Sequence, residues 1–118
     1  MKKLFLILTM CLFFNQSVFS ETELVAKNYS YQASVDYINR DFAKASEGYA
    51  KSLQIRKKLN LKNEHYITIL KLYMYAQWKI NNFCNINIDS SDYLMLTTTN
   101  DNEFNHDFKF MNSYCENF

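Results

Sequence analysis

The chain has 118 residues, of which 48% are hydrophobic, and a formal net charge of +1. This length predicts at most one small domain. It contains one glycine and no proline, which excludes a glycine-rich loop of the kind that cradles phosphate groups.

The first twenty residues have the order of a secretory signal peptide. Met1-Lys2-Lys3 is charged, Leu4 to Phe14 is an apolar run broken only by Thr9, and Val18 and Ser20 suit the −3 and −1 sites of a signal peptidase. Cleavage after Ser20 is therefore expected. The apolar run of about eleven residues is short against the roughly twenty that span a bilayer.

Two alternatives to simple cleavage remain open at the N-terminus. The run could stay as an anchor, or Cys11 could be the lipidated cysteine of a lipoprotein, although Met10 is large where a small residue is usual. Removing residues 1–20 leaves 98 residues (118 minus 20) without another membrane-length apolar stretch. The composition is typical of a bacterial protein from an AT-rich genome, so a periplasmic or secreted location is expected.

The first predicted helix runs from Glu21 to Asn39. Its larger apolar residues recur at helical spacing and are expected to form one buried face. They are Leu24, Tyr31, Val35 and Ile38.

The second predicted helix runs from Phe42 to Leu59, with Asp41 as its N-cap. Gly48 in its middle costs about 1 kcal/mol relative to alanine, which indicates close approach of a neighbouring backbone. One stripe of this helix is expected to pack against helices one and three. It contains Phe42, Ala45, Tyr49 and Leu53, with Arg56 in line.

A polar turn over residues 60–64 leads to a third helix from His65 to about Phe83, whose apolar residues cover more than one face. This helix is expected to be the most buried. Residues 84–118 are less regular: short strands or a loose helix are equally defensible near Tyr93, and a last helical turn is expected near Phe108 to Tyr114.

Charge and cysteine content both connect the two halves of the chain. Residues 21–84 hold ten Lys and Arg against six acids (net +4), and residues 85–118 hold one Lys against six acids (net −5). The acidic tail is expected to fold over the basic body, which argues against nucleic acid as a partner. Cys84 and Cys115 are expected to form a disulfide in an oxidising compartment.

Residues 29–83 resemble tetratricopeptide repeats, in particular the longer repeats of kinesin light chains. The resemblance rests on Asp41-Phe42 with the stripe described above, on the link "KSLQIRKKLNLKNEHYITIL" (residues 51–70), and on Asn82-Phe83 repeating Asp41-Phe42 after 41 residues. It covers about one and a half repeats. The resemblance implies an all-α fold with a three-helix antiparallel bundle over residues 21–83. Because residues 84–118 do not complete the second repeat, we expect them to form an irregular, disulfide-tied segment, or else the chain to complete its core with a partner.

The residue types used in catalysis and metal binding are present, but the sequence does not place them in a recognisable catalytic or metal-binding pattern. His65 and His106 have no identifiable acid or base partners, and Asp101, Glu103 and Asp107 indicate a solvated acidic loop and not a calcium site. The basic cluster Arg56-Lys57-Lys58 is interpreted as a solvated helix end. We therefore expect no enzyme, no cofactor and no metal.

The resemblance implies recognition of a protein or peptide. Its contact surface is expected on the open side of helices one and three, at Lys27, Ser34, Tyr37, Tyr73 and Gln77. The alternative is a small periplasmic inhibitor, such as an immunity protein that caps a toxin, for which the acidic tail would supply the contacts.

Overall fold

The computed structural model describes residues 22–117, and these residues form an all-helical structure without a β-strand. A 3-10 turn, Phe83–Asn85, follows the third helix. The five α-helices are α1 (Glu23–Ile38), α2 (Phe42–Lys58), α3 (Glu64–Lys79), α4 (Ser90–Thr97) and α5 (Asn102–Glu116).

Each of these helices begins at a side chain that accepts a hydrogen bond from a backbone amide of the first turn. The predicted cap Asp41 is confirmed, since it accepts from the amide of Lys44 at 3.3 Å. Such caps satisfy amides that have no partner within the helix. The other four capping residues are Thr22, Asn63, Asp89 and Asp101.

The ends of α1, α2 and α3 share one backbone motif. Arg40, Asn60 and Asn81 adopt positive φ angles of 64°, 59° and 58°. In each case the next amide bonds the carbonyl five residues back, as in Asp41 to Asp36 at 2.8 Å. This is the Schellman arrangement, which usually places glycine at the positive φ. It turns the chain sharply after each helix.

We call the contact between α1 and α2 the α1–α2 seam, and small residues form it. Ala26, Ala33 and Ala45 are almost completely buried. A β-carbon on Gly48 would lie 2.8 Å from Ala33 Cβ and 3.2 Å from the Tyr29 carbonyl oxygen. The expectation that Gly48 allows a close backbone approach is confirmed.

The buried face predicted for α1 is wrong. Leu24, Tyr31 and Ile38 are 67%, 74% and 79% exposed, respectively. Periodicity locates a stripe of large apolar residues but does not say which side faces the neighbouring helix. Here Gly48 admits only small residues, so the alanines of α1 face α2 and the large residues point outward.

The stripe predicted on α2 is buried as expected at three of its four positions. Ala45, Tyr49 and Leu53 are core residues, while Phe42 is half-buried with its ring 5.0 Å from that of Tyr37. Helix α2 packs against α1 on one side and α3 on the other. Helix α3 contributes the largest share of the core, with Tyr66, Ile69, Leu70, Met74 and Ala76.

We call residues 85–117 the tail. The sequence predicts an irregular segment here, but most of the tail is helical. Residues 90–97 and 102–116 are helical, so the acidic loop expected at Asp101 to Asp107 is mostly the first turns of α5. Phe104, Phe108 and Met111 of α5 are buried. The tail therefore completes the core through these side chains.

The acidic tail lies on the basic body, as its charge predicted. Lys57 pairs with Asp89, Lys62 with Asp92 at 3.2 Å, and Lys71 with Asp101 at 3.2 Å. The predicted disulfide between Cys84 and Cys115 is present, with its two Cα atoms 5.4 Å apart.

The predicted signal peptide, residues 1–20, and the expected helix start at Glu21 lie outside the described residues. Within residues 22–117, none of the helices has the length and apolar character that a membrane crossing requires.

Candidate functional site

An open groove lies between α1 and α3, with α2 forming its floor. We call it the α1–α3 groove. Its volume is about 380 Å³, within the range of small-molecule and side-chain pockets. It is lined by Lys27, Ser30, Tyr31 and Ser34 of α1, Tyr49 and Arg56 of α2, and His65, Thr68, Ile69 and Leu72 of α3.

Two buried side chains of α2 form the floor. The Tyr49 hydroxyl lies 2.8 Å from Ser34 Oγ, which fixes the ring between the two helices. Burial raises the pKa of Tyr49, so this phenol stays protonated at neutral pH. Arg56 is 1% exposed and donates from Nε to Ser52 Oγ at 3.4 Å.

Within residues 22–117, no carboxylate pairs with Arg56. Ser52 in turn donates to the carbonyl of Ala26 at 2.8 Å. The series of hydrogen bonds that starts at Arg56 therefore ends on a neutral backbone group. Arg56 Nη1 is buried and has no hydrogen-bond partner within residues 22–117. Among the described residues that line the groove, Lys27 adds a second cation and there is no acid. This part of the groove is positively charged.

A second cavity of about 320 Å³ lies one helical turn further along α1 and α3, at Tyr37 and Tyr75. Its other wall is acidic, since Asp101, Glu103 and Asp107 of the tail line it. Tyr75 donates its hydroxyl to Asp107 at 2.6 Å, and burial together with this hydrogen bond raises the pKa of Tyr75. The face between α1 and α3 is therefore basic at one end and acidic at the other.

The structure brings together only part of the predicted contact surface. Lys27 and Ser34 line the α1–α3 groove, and Tyr37 lines the acidic cavity beyond it. Tyr73 lines a different cavity, between α2, α3 and the tail. Gln77 is buried and donates to Ser46 Oγ at 2.5 Å, so it is not on the open surface.

The misplacement of Tyr73 and Gln77 has a geometric cause. The face of α3 that lines the groove follows His65, Thr68, Ile69 and Leu72, and the next position in that series is Tyr75. Tyr73 lies about 200° around the helix from Tyr75, at 100° per residue. The apolar residues of α3 cover several faces, so its periodicity does not identify the open one.

Arg56 is the residue that the sequence interpretation missed. It was assigned to a solvated helix end, whereas its side chain is among the most buried in the described chain. A signal was present, because Arg56 continues the buried stripe three residues after Leu53. Lys57, in contrast, is exposed and pairs with the tail.

The residues considered for catalysis lie apart. His65 is exposed at the edge of the groove, and His106 is exposed on α5. Within residues 22–117, no three His, Cys, Asp or Glu side chains lie close enough together to hold a metal ion.

Comparison of the chain with protein-family models, curated proteins and solved structures finds no match. The resemblance to tetratricopeptide repeats therefore rests on the residues quoted from the sequence, and function has to be argued from the surface of the molecule.

Proposed function

We propose that the chain is an exported, non-enzymatic protein-binding module whose paired helices resemble tetratricopeptide repeats. The observation that carries this proposal is the outward stripe on α1, formed by Leu24, Tyr31 and Ile38. These residues are seven apart, so they align within about 20° per step along the helix. All three are at least two-thirds exposed.

An aligned row of large apolar side chains is costly to leave in water, and such patches mark interaction surfaces. The stripe borders the α1–α3 groove, since Tyr31 belongs to both. A partner can therefore cover the stripe and extend into the groove. Aromatic residues at the centre of such a surface supply much of the binding energy in known interfaces.

The repeat-like character is supported by the helix ends. The residues with positive φ follow each other after 20 and 21 residues, at positions 40, 60 and 81. Asp41-Phe42 and Asn82-Phe83 come directly after the first and third of them, 41 residues apart. The resemblance ends there, because a 3-10 turn and the eight-residue α4, and not a long helix, follow α3 directly.

A site-specific crosslinking experiment tests the proposed function. A photo-reactive amino acid replaces Tyr31 in the stripe, and a matched control replaces Glu47, an exposed residue on the far side of α2. We expect a crosslinked protein of defined mass from position 31, absent from position 47. Equal products at both positions, or none at position 31, would contradict the proposal.

A second pair of variants separates a foreign partner from self-association. Leu24→Ser and Ile38→Ser change exposed side chains, so stability should shift by no more than about 0.5 kcal/mol. Loss of the crosslinked partner in these variants supports a protein-binding stripe. Sedimentation of the purified chain shows whether a second copy is that partner.

The alternative, an immunity-type inhibitor, requires an acidic tail available to a toxin. Four of the six tail acids bond within the chain: Asp89 and Asp101 to lysines, Asp92 to lysines and Tyr66, and Asp107 to Tyr75. The tail therefore offers less free charge than its composition suggests, and the stripe is the better-supported contact surface.

A further inference from the structure

Arg56 is a buried cation, and no carboxylate among the described residues 22–117 balances its charge. Its side chain is 1% exposed, its Nε contacts the neutral Ser52 hydroxyl, and its Nη1 has no partner in the described chain. A guanidinium does not lose its proton in a protein, so burial cannot be relieved by neutralisation. An unpaired buried charge is strongly unfavourable, and an anion entering from the groove would balance it.

The groove gives an anion access to this position. Arg56 forms part of its floor, with Lys27 on the α1 side and His65 at the start of α3. Ser30 and Thr68 also line the groove, and their hydroxyl groups donate within their own helices, to the carbonyls of Lys27 and Glu64 at 3.0 Å. The volume of about 380 Å³ holds a small organic molecule or one or two side chains of a peptide.

The remaining wall defines what kind of anion fits. Ile69 is buried and Leu72 is half-buried, and both line the groove beside Arg56. A carboxylate presents two oxygens in the geometry that one guanidinium binds, and an apolar group attached to it can cover Ile69 and Leu72. A doubly charged inorganic phosphate or sulfate would leave this apolar wall uncovered and its own charge only partly compensated.

We propose that the α1–α3 groove binds an organic monocarboxylate, with the carboxylate paired to Arg56 and its apolar substituent against Ile69 and Leu72. The inference goes beyond the proposed function, because the ligand of the groove need not be a protein. The carboxylate could belong to a free acid or to the C-terminus of a peptide, since both make the same contacts with Arg56. It uses the groove and does not depend on the outward stripe of α1.

The first test uses the unaltered, disulfide-bonded chain. Hexanoate and hexanamide are matched in length and differ in charge at the group that meets Arg56. We expect hexanoate to raise the melting temperature with concentration and to shift the Arg56 Nε–H resonance in a nuclear magnetic resonance titration. Hexanamide should do neither, and sulfate should bind more weakly. Equal effects of the acid and the amide, or no effect of either, overturn the proposal.

The second test removes the cation with little change in volume. Arg56→Met should weaken hexanoate binding by about tenfold or more, since a charge-assisted hydrogen bond is lost. The free variant should melt at the same or a higher temperature, because an unpaired buried charge has been removed. Lys44→Met on the exposed side of α2 is the matched control and should bind like the unaltered chain. Undiminished binding by a folded Arg56→Met chain overturns the proposal.

A third comparison identifies the source of the carboxylate. Acetyl-Ala-Leu with a free C-terminus is titrated beside its C-terminal amide and hexanoate. Tighter binding of the peptide acid identifies the end of a protein chain, and tighter binding of hexanoate identifies a free acid. Binding of the peptide amide as tightly as the peptide acid contradicts a carboxylate site. A crosslink at position 31 would stand in either case, so the two proposals fail independently.

Discussion

The molecule has two contrasting contacts: the α1–α2 seam, and the contact of the tail with residues 22–84, which we call the body. The two contacts bury their surfaces by different means. The seam is made of small residues that let two backbones approach, with Gly48 against Ala33. The tail contact is made of aromatic rings, ion pairs and a disulfide, for example Trp78 with its ring 5.1 Å from that of Tyr114. Close packing and two hydrogen bonds between neutral groups, Ser52 to the Ala26 carbonyl and Tyr49 with Ser34, hold the seam, whereas the tail contact depends on charge and on redox state.

This difference predicts that conditions which leave the seam intact can release the tail. Short-range packing between two long helices does not respond to reductant, and responds only weakly to pH or salt. The tail contains an eight-residue α4 and the 15-residue α5, and it depends on its links to the preceding helices. The predictions below separate the two regions, beginning with the largest expected effect.

Removing the disulfide should destabilise the tail most. Closing a loop of 31 residues contributes about 3.5 to 4 kcal/mol in the chain-entropy estimate. We expect Cys84→Ser with Cys115→Ser to lose about that much unfolding free energy and to lose hydrogen-exchange protection mainly in α4 and α5. Denaturant unfolding followed by circular dichroism gives the first quantity. Equal loss of protection throughout α1 and α2 would show that the two regions unfold together.

Among the polar residues of the tail, Asp92 should contribute most to the stability of the fold. It is buried, accepts from the Tyr66 hydroxyl at 3.0 Å and pairs with Lys62. Asp92→Asn should cost about 1 to 3 kcal/mol, because a buried charged acceptor for several donors is lost. Thermal melts of this variant check the effect.

Asp101→Asn is the matched control for Asp92→Asn. Asp101 pairs with Lys71 but is exposed, and asparagine preserves its capping of α5. The control should therefore lose clearly less stability than Asp92→Asn. Similar losses in both variants would mean that burial of Asp92 is not what matters.

Gly48→Ala tests the seam and should destabilise it by up to about 2 kcal/mol. Alanine gains about 1 kcal/mol of helix propensity, but its β-carbon would lie 2.8 Å from Ala33 Cβ, and such overpacking costs about 1 to 3 kcal/mol. Combining it with Ala33→Gly should relieve the clash. A double-mutant cycle with no coupling energy would contradict the close contact.

The pH dependence should be small and should belong to the tail. The hydrogen bond from Lys57 and the Asp92 amide lower the pKa of Asp89 below its ordinary 3.8, and the same pairing raises the pKa of Lys57 above its ordinary 10.5. A lowered carboxylate pKa gives stability that is present above pH 3.8 and is lost as pH falls through the folded pKa. A raised lysine pKa gives stability that is present below pH 10.5 and is lost as pH rises through the folded pKa.

The Asp89 to Lys57 pair should therefore contribute constantly between those two limits. Because both side chains are nearly half exposed, the contribution should stay under about 1 kcal/mol and decrease with added salt. Melting temperatures against pH for the unaltered chain and Asp89→Asn measure it. A pH dependence that survives unchanged in Asp89→Asn would assign it to other groups.

Arg40→Gly should change the free energy of unfolding least of these variants, and it should increase it where the others decrease it. Arg40 occupies the positive φ of the α1 end, where a β-carbon costs about 1 kcal/mol that glycine avoids. We expect a gain of about 0.5 to 1 kcal/mol, reduced by the greater freedom of glycine in the unfolded chain. The same change at Asn60 should gain less, since asparagine tolerates this conformation better than arginine does.

The two regions also differ in how well the sequence predicts them. The bounds of α1, α2 and α3 follow from periodicity and from polar caps such as Asp41, and each agrees within about four residues. The sequence did not decide between helix and strand in much of the tail, because Asn, Asp and Thr weaken local helix preference. In addition, α5 is stabilised by contacts of Phe104 and Phe108 with residues distant in sequence. Such contacts cannot be derived from local spacing.

The candidate site shows the same limit. Lys27 and Ser34 were identified from their position on α1, while Arg56 was not, because a charged residue at a helix end is ordinarily solvated. Its burial results from α1 and α3 covering both sides of the last turns of α2. The burial of Arg56 therefore depends on which face of α1 points inward. The close contact with Gly48 determines that face, and the large apolar residues of α1 do not.

The regular turns after α1, α2 and α3 have a practical consequence for engineering. Each helix has 16 or 17 residues, directly preceded by a capping side chain and followed, after one further residue, by a residue of positive φ. Adding one residue inside any of them would rotate everything beyond it by about 100° and displace the caps. Labels and inserted peptides are therefore best tolerated between α4 and α5, at Thr98 and Asn100, which are exposed and outside both helices.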